Sequence, residues 1–516
     1  MAAYKQQAPQ VEFQNASQCF EDLRDFMGSG SALGMSHYEL EREVSVRGRE
    51  VLRLLAQEHL DLRARLESVA PVTGEDGVVR TLRRDTHRPL DLLFGEVAVW
   101  RVGLHARNHD SRFPMDAELN LPEQRQSHGV RERVAEEVAK GSFDEAVETV
   151  AKTTGVEVSK LQAEKLAAEA ARDFDAFYAQ RPAEEVHAGA KEFVALTTDG
   201  KGIVVRKQDL RKATRRAAQG SSHKLKTRLS KGEKRNRKRM ATVAAVYSIE
   251  PQVRTADDIL RDFRPVADTA RPPRPKPQHK RVWASVRKEQ EEVIRELFDE
   301  GERRDPEKSR VWCGLLDGSE IQRERLETEA QRRKIEIILV LDIIHALEYL
   351  WKAAFCFHAD GTKEAESWVM ERFRGLLEGR VSDVAAGIRR SATLRGLDAR
   401  ARKPVDKCAD YFLKNKHQMR YDEYLAKGLP IATGVIEGAC RHLVKDRMDL
   451  TGARWSLDGA DAVLRLRALR SSGDFAPYWE FHLLQEHQRN HLSRYEGGVF
   501  RQPMNAKRPN LRLVVS

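Results

Sequence analysis

The sequence predicts a multidomain, mostly α-helical chain around an α/β core that a helical segment interrupts. Three observations carry this. With 516 residues, at about 150 residues per domain, three or four domains are expected. Between Val311 and Leu341 two apolar strands flank an amphipathic helix, a βαβ unit that requires parallel pairing. From His345 to about Leu429 the apolar spacing is helical and glycines are few.

Charged residues make up 33% and hydrophobic ones 41%, and the net charge is +11. This balance disfavours an acidic secreted enzyme and a wholly disordered chain. Five cysteines (Cys19, Cys313, Cys356, Cys408 and Cys440) are scattered, with no CxxC pair. Neither a disulfide framework nor a cysteine zinc site is expected, and a reducing cytoplasm is. The N-terminus lacks the apolar run of a signal peptide. The most apolar stretch, Ile335 to Phe357, contains Glu336, Asp342, His345, Glu348 and Lys352. Each charge at a bilayer centre would cost roughly 2.5–3.5 kcal/mol, so it reads as a buried strand and helix, with no membrane partner.

In chain order, residues 1–38 are polar and read as a disordered segment. Residues 39–122 form a module whose first part is helical, with Val44, Val51, Leu54, Leu55, Leu60 and Leu62 at helical spacing. Its second part is β-rich, with a strand over Val97–Leu104. Residues 123–185 are helical again. Ser142 with Glu145 caps one helix, Ser159 caps the next, and Gly155 turns between them. That layout fits a DNA-reading helix-turn-helix and equally an ordinary helical hairpin.

Residues 186–342 change character. Phe193–Thr197, Val243–Tyr247, Val311–Leu316 and Ile335–Leu341 are strand candidates, and three of them run into Asp199, Asp317 and Asp342. From Arg206 to Arg239 there are 15 Lys or Arg against two acids, a local surplus of 13 that exceeds the +11 of the whole chain. Residues 271–280, including Arg271-Pro-Pro-Arg-Pro-Lys-Pro277, read as an extended linker. Residues 343–430 are the helical insertion, 431–470 return to the core with a helix opening at Gly434, and 471–516 read as a basic tail.

The chemistry concentrates at strand ends. An Asp after an apolar strand delivers a carboxylate to the sheet edge, and several converging make an oxygen-ligand site for Mg²⁺ or Mn²⁺. Asp199 and Asp317 lead, Asp342 is a third such group, and each alone also fits a turn or helix cap. Glu437 would complete the shell, with Arg441 and Lys445 at i+4 and i+8 along one face; a salt-bridged surface helix is the alternative. Two ions would activate the attacking oxygen and stabilise the leaving one. Asp342 and His345 read as a helix cap and a supporting or DNA-facing group. The run containing Lys231, Lys234, Arg235, Arg237, Lys238 and Arg239 would bind phosphate backbone without sequence preference. No P-loop and no serine nucleophile elbow occurs.

Thr198-Asp-Gly-Lys-Gly202, Lys231–Thr242, Leu316-Asp-Gly318, Asp342–Trp351, Gly434-Val-Ile-Glu437 and Thr451-Gly-Ala-Arg-Trp455 occur in this order. As a set they resemble the bacterial insertion-sequence transposases of the Kra branch, related to Mutator-like enzymes, over roughly residues 127–495. The resemblance implies an RNase H-like core whose DDE triad is Asp199, Asp317 and Glu437, with a helical insertion in the 120 positions before the Glu. Asp342 and His345 fall in its Asp-x-x-His segment. Asp317 is preferred to Asp342 as second acid because the βαβ reading puts it on the more central strand. Arg454 and Trp455 join Arg441 and Lys445 as expected DNA contacts. Relatives often carry a cysteine zinc module where Val97–Leu121 has no cysteine, so no structural zinc is expected.

The function this implies is a Mg²⁺- or Mn²⁺-dependent DNA transposase. It would cut terminal inverted repeats, join target DNA, act as a homodimer or higher oligomer, and reside in the bacterial cytoplasm with the nucleoid. The alternatives are an RNase H-like nuclease or resolvase without strand transfer, and a non-enzymatic DNA-binding regulator.

Overall fold

The computed structural model describes residues 13–67, 70–183, 192–220, 237–263, 274–449 and 453–500. The chain forms two compact units, Met1–Phe177 with Ala476–Ser516, and Tyr178–Phe475.

The first unit has order where a disordered segment was expected. Gln14–Met27 is a helix packed on the long helix His37–Arg65. Ala16, Cys19, Leu23 and Phe26, spaced i, i+3, i+7 and i+10, form its inward stripe. Polar residues between them disguise that period. Strands β1 (Val72–Thr73) and β2 (Val79–Arg80) make a small ladder, and β3 (Leu82–Leu92) pairs antiparallel with β4 (Gly95–His105). Gln57 ties the long helix to the hairpin through both the N–H and the C=O of Ala98.

Helices His128–Lys140, Phe143–Thr154 and Lys160–Ala170 follow. Ser142 with Glu145 and Ser159 with Gln162 close reciprocal capping boxes, and Gly155 turns the chain at φ +74°. Within the expected basic tail, Phe475–Asn490 is a helix. Tyr478, His482 and Glu486, one turn apart, are its buried stripe, and the Tyr478 hydroxyl donates to the Ala170 carbonyl at 2.5 Å.

The second unit holds a mixed five-stranded sheet in the order β7-β6-β5-β8-β9. Its strands are β5 (Phe193–Val204), β6 (Lys238–Ile249), β7 (Gln278–Ser285), β8 (Trp312–Leu316) and β9 (Ile337–Leu341). Pairing is antiparallel among β5, β6 and β7, and parallel from β5 through β8 to β9. Two expectations are corrected. Strand β5 does not end at Asp199, because β6 continues the ladder to Val204↔Lys238. Residues 278–280 of the expected linker belong to β7, whose buried half, Arg281–Ser285, lies against β6. Helix Ala256–Phe263 lies between β6 and the expected linker.

Helices Gln290–Arg304 and Glu320–Arg333 connect β7, β8 and β9. On the first, Glu300 is buried against Arg281, Arg303 and Arg304. Burial alone would raise its pKa, yet the three guanidinium groups hold it far below the usual carboxylate range. The segment after β9 is helical as expected: Ile343–Ala354, Lys363–Leu377, Val381–Leu394, Lys403–Asn415 and Tyr421–Ala426. Leu350, Phe373, Ile388 and Phe412 join Ala195, Cys313, Leu315 and Val340 in one continuous core. Strand β9 is the sheet edge, and a buried edge needs partners for its carbonyls. The Tyr421 and Tyr424 hydroxyls supply them, donating to Leu341 and Leu339 at 3.0 and 3.2 Å.

Candidate active site

The register of the parallel strands fixes where the acids fall. Thr197 pairs with Leu315, and Leu315 with Val340. Two residues on, along the same face of each strand, stand Asp199, Asp317 and Asp342. The ladder persists to this level, since the Asp342 N–H donates to the Leu316 carbonyl at 2.7 Å. Three carboxylates therefore form a row across the carboxyl ends of β8 and β9 and the middle of β5.

Their environments differ. Asp199 is half-buried, and its Oδ1 accepts the Gly200 N–H at 2.6 Å. Asp317 is half-buried and accepts the Ser319 N–H at 3.0 Å. Asp342 is buried, caps helix Ile343–Ala354 by accepting the Ile344 N–H at 2.9 Å, and receives the Thr433 hydroxyl on its other oxygen. Burial raises its pKa, and the bonds from Thr433 and Ile344 only partly oppose this. Gly318 has φ +91°, and a Cβ there would lie 2.6 Å from the Tyr411 hydroxyl, so only glycine fits the turn after Asp317. That hydroxyl donates to the Asp317 carbonyl at 2.8 Å.

Glu437 is on helix Gly434–Ala439, exposed to solvent. The helix is pinned to the acid row at two points. Thr433, just before it, bonds Asp342, and the Cys440 thiol donates to Asp199 Oδ2 at 3.2 Å. Glu437 lies four residues after the first pin and three before the second, on the face they define. Partial burial and the Asp342, Glu348 and Asp199 carboxylates push its pKa up, with His345 opposing. The donor set is all oxygen and its members repel one another, which suits a hard divalent cation. The oxygens of Asp199, Asp317 and Glu437 do not all lie within 4.8 Å of one another.

The helix carrying Glu437 is not regular. Cys440–Lys445 is π-helical, a distortion frequent at functional sites. Arg467 donates to the His442 and Leu443 carbonyls it displaces, at 3.0 and 3.2 Å. Arg441 and Lys445 are exposed, but the wider turn breaks the single face expected for them with Glu437. Arg454 is exposed. Trp455 is corrected from DNA contact to buried packing: its ring N–H donates to Met448, its main chain pairs with Val204 and Arg206, and Arg447 lies over its ring. Arg239 likewise spends its guanidinium on the Val286 and Asp209 carbonyls. Arg237 and Lys238 are half-buried at the start of β6, while Lys231, Lys234 and Arg235 lie outside the described residues.

His345 is half-buried against Tyr349 and Tyr411, with Glu348 at 3.9 Å. Three residues went unread: Thr433, Cys440 and Tyr411. Cys440 had a legible signal, three positions after Glu437 on a helix. Tyr411 had none, being 94 residues from Asp317.

Among the described residues, the group that does meet metal-ligand spacing is Asp173, His482 and Glu486, buried in the first unit. Both carboxylates are already engaged there. Asp173 accepts from His482 at 2.7 Å and Arg489 at 2.5 Å, and Glu486 from Arg131 at 3.0 Å and from Arg489. Two arginines inside the cluster oppose a cation electrostatically, and it reads as an ion-pair knot that seats the last helix. Compared with known proteins, the chain matches no family model and has no significant match among curated proteins.

Proposed function

We propose that the chain is a DDE-type DNA transposase, with the five-stranded sheet as an RNase H-like catalytic core. The observation that carries the reading is the acid row at one register level, with Glu437 held over it by Thr433–Asp342 and Cys440–Asp199. Asp199, Asp317 and Glu437 are the ligand set, because each keeps solvent-accessible surface. Asp342 is a positioning residue, because both its oxygens are taken by Ile344 and Thr433. Mg²⁺ or Mn²⁺ bound by the ligand set would polarise the phosphoryl group and activate first water, then the freed 3′-OH.

The protein's own part is placement. Capped by Ser142 and Ser159, helices Phe143–Thr154 and Lys160–Ala170 serve as the helix-turn-helix that reads element ends. Exposed Arg441, Lys445 and Arg454 follow Glu437 in sequence and meet backbone phosphates.

The test is a Mg²⁺-dependent cleavage and strand-transfer assay on the DNA flanking the gene. Asp199→Ala and Glu437→Gln should abolish cutting and joining while end binding stays within about threefold. Cutting by Asp199→Ala at the wild-type rate would sink the site assignment. Hydrolysed ends without joined products would leave a nuclease.

A further inference from the structure

The helical segment carries a second basic tract. From Arg389 to Arg420 there are ten Lys or Arg against three acids. Two of those acids are consumed locally: Asp406 accepts from Arg402 at 3.0 Å, and Asp410 from Arg389 at 2.5 Å. Lys403 and Lys407 share their helix, are exposed, and have no ion-pair partner among the described residues. With Tyr411 they stand at i, i+4 and i+8, one face of helix Lys403–Asn415.

That face leads to the acid row. Tyr411 is bonded to Asp317 and stacks on Tyr349, with ring centroids 4.0 Å apart and planes 4° from parallel. Helix Ile343–Ala354 leaves the row at Asp342 and helix Lys403–Asn415 arrives near Asp317, so the two run antiparallel from the tyrosine pair. Lys352, three residues beyond Tyr349, therefore comes level with Lys407, one turn before Tyr411. Lys352 is exposed, lies 4.9 Å from the Tyr349 ring centroid and pairs with Glu348 at 3.4 Å, so it joins the strip as a partly neutralised charge beside the unpaired Lys403 and Lys407. At about 1.5 Å rise per residue, the strip from Tyr411 to Lys403 is about 12 Å long, the span of three to four phosphates on one DNA strand.

We propose that Lys352, Lys407 and Lys403 form a track for the phosphodiester backbone of the DNA strand flanking the cleaved bond. The inference rests on reading the acid row as a DNA-cutting site. The tyrosines floor the track and keep it aligned with Asp317, while the lysines supply counter-charge without reading sequence.

The test uses the full chain without Mg²⁺ and a labelled duplex carrying the element end, with affinity measured across a NaCl series. Each lost phosphate contact lowers the slope of log affinity against log salt by about 0.9. Lys403→Ala/Lys407→Ala should reduce it by about 2, and Lys403→Arg/Lys407→Arg should restore it, at unchanged melting temperature. An unchanged slope in the alanine pair overturns the track, as does a slope that the arginine pair fails to restore. Cleavage by Asp199→Ala, measured in parallel with Mg²⁺, separates the two readings. If that variant cuts normally while the lysine slope still falls, the acid-row reading fails and the strip remains a DNA contact. If it is dead and the slope is unchanged, the track alone fails.

Discussion

At the scale of single residues, the site depends on a thiol that does no chemistry of its own. Cys440 is buried, and burial followed by the nearby Asp199 charge pushes its pKa well up, so it remains a protonated donor. A hydroxyl at the same position keeps a donor and an alanine does not. Cys440→Ser should therefore cleave within about threefold of wild type. Cys440→Ala should lose about tenfold and need more Mg²⁺ for half-maximal rate, since a net hydrogen bond to a charged group contributes about 1.5–3 kcal/mol. Equal rates and equal Mg²⁺ dependence for both variants would show that the thiol positions nothing. His128 makes a second residue-scale case. Its Nε2 meets the Asn120 carbonyl at 2.8 Å, and its Nδ1 is buried without a partner. Burial, then Arg131, lowers its pKa to about 4. Between the unfolded value of about 6.5 and about 4, the unfolded chain binds the extra proton, so stability falls as pH drops through that window. The loss should approach about 3 kcal/mol by pH 4. His128→Gln should flatten that part of the pH profile in thermal unfolding, and an identical profile would refute the assignment.

At the scale of elements, legibility followed how local the cause of each element was. Strands β8 and β9 were readable because parallel strands buried on both faces are continuous apolar runs, and each ends at an Asp. The serine caps were readable because a capping box spans four residues. Strand β7 was not, because it opens on Gln278-His-Lys after a proline-rich stretch and is made a strand by its pairing with β6. Helix Gln14–Met27 was hidden because its stripe is small or interrupted and needs the helix His37–Arg65 to cover it. The acids Asp199, Asp317, Asp342 and Glu437 were legible as types at strand ends and a helix start. What holds them together was not, because Thr433–Asp342 and Tyr411–Asp317 join residues 91 and 94 positions apart. The edge strand gives a prediction at this scale. Tyr421→Phe leaves the buried Leu341 carbonyl without its donor and should cost about 1–3 kcal/mol in urea unfolding. Because Leu341 precedes Asp342, the variant should also lower cleavage more than Tyr424→Phe, whose target carbonyl is two residues further back. Equal losses in the two variants would separate the edge cap from the site.

At the scale of the whole molecule, two compact units give stability two independent controls. The first unit contains His128 and the Asp173–His482–Glu486 knot, and the second contains every acid assigned to metal. A ligand that binds only the folded second unit stabilises that unit by mass action, about 2.7 kcal/mol at a hundredfold excess over its dissociation constant. The gain should shrink as the pH falls, because Glu437, whose pKa is raised by partial burial and by the Asp342, Glu348 and Asp199 charges, must lose its proton to ligate a cation. Scanning calorimetry of the full chain should therefore show two transitions that respond separately. Mg²⁺ should raise one and leave the other in place, chelation should reverse the shift, and Asp199→Asn/Glu437→Gln should remove it. Lowering the pH from 7 to 5 should depress the transition that ignores Mg²⁺, through His128, and His128→Gln should blunt that fall. A single transition shifted alike by Mg²⁺ and by pH would mean that the units unfold together. A Mg²⁺ shift of the same transition that survives in the double variant would place the cation elsewhere in the second unit.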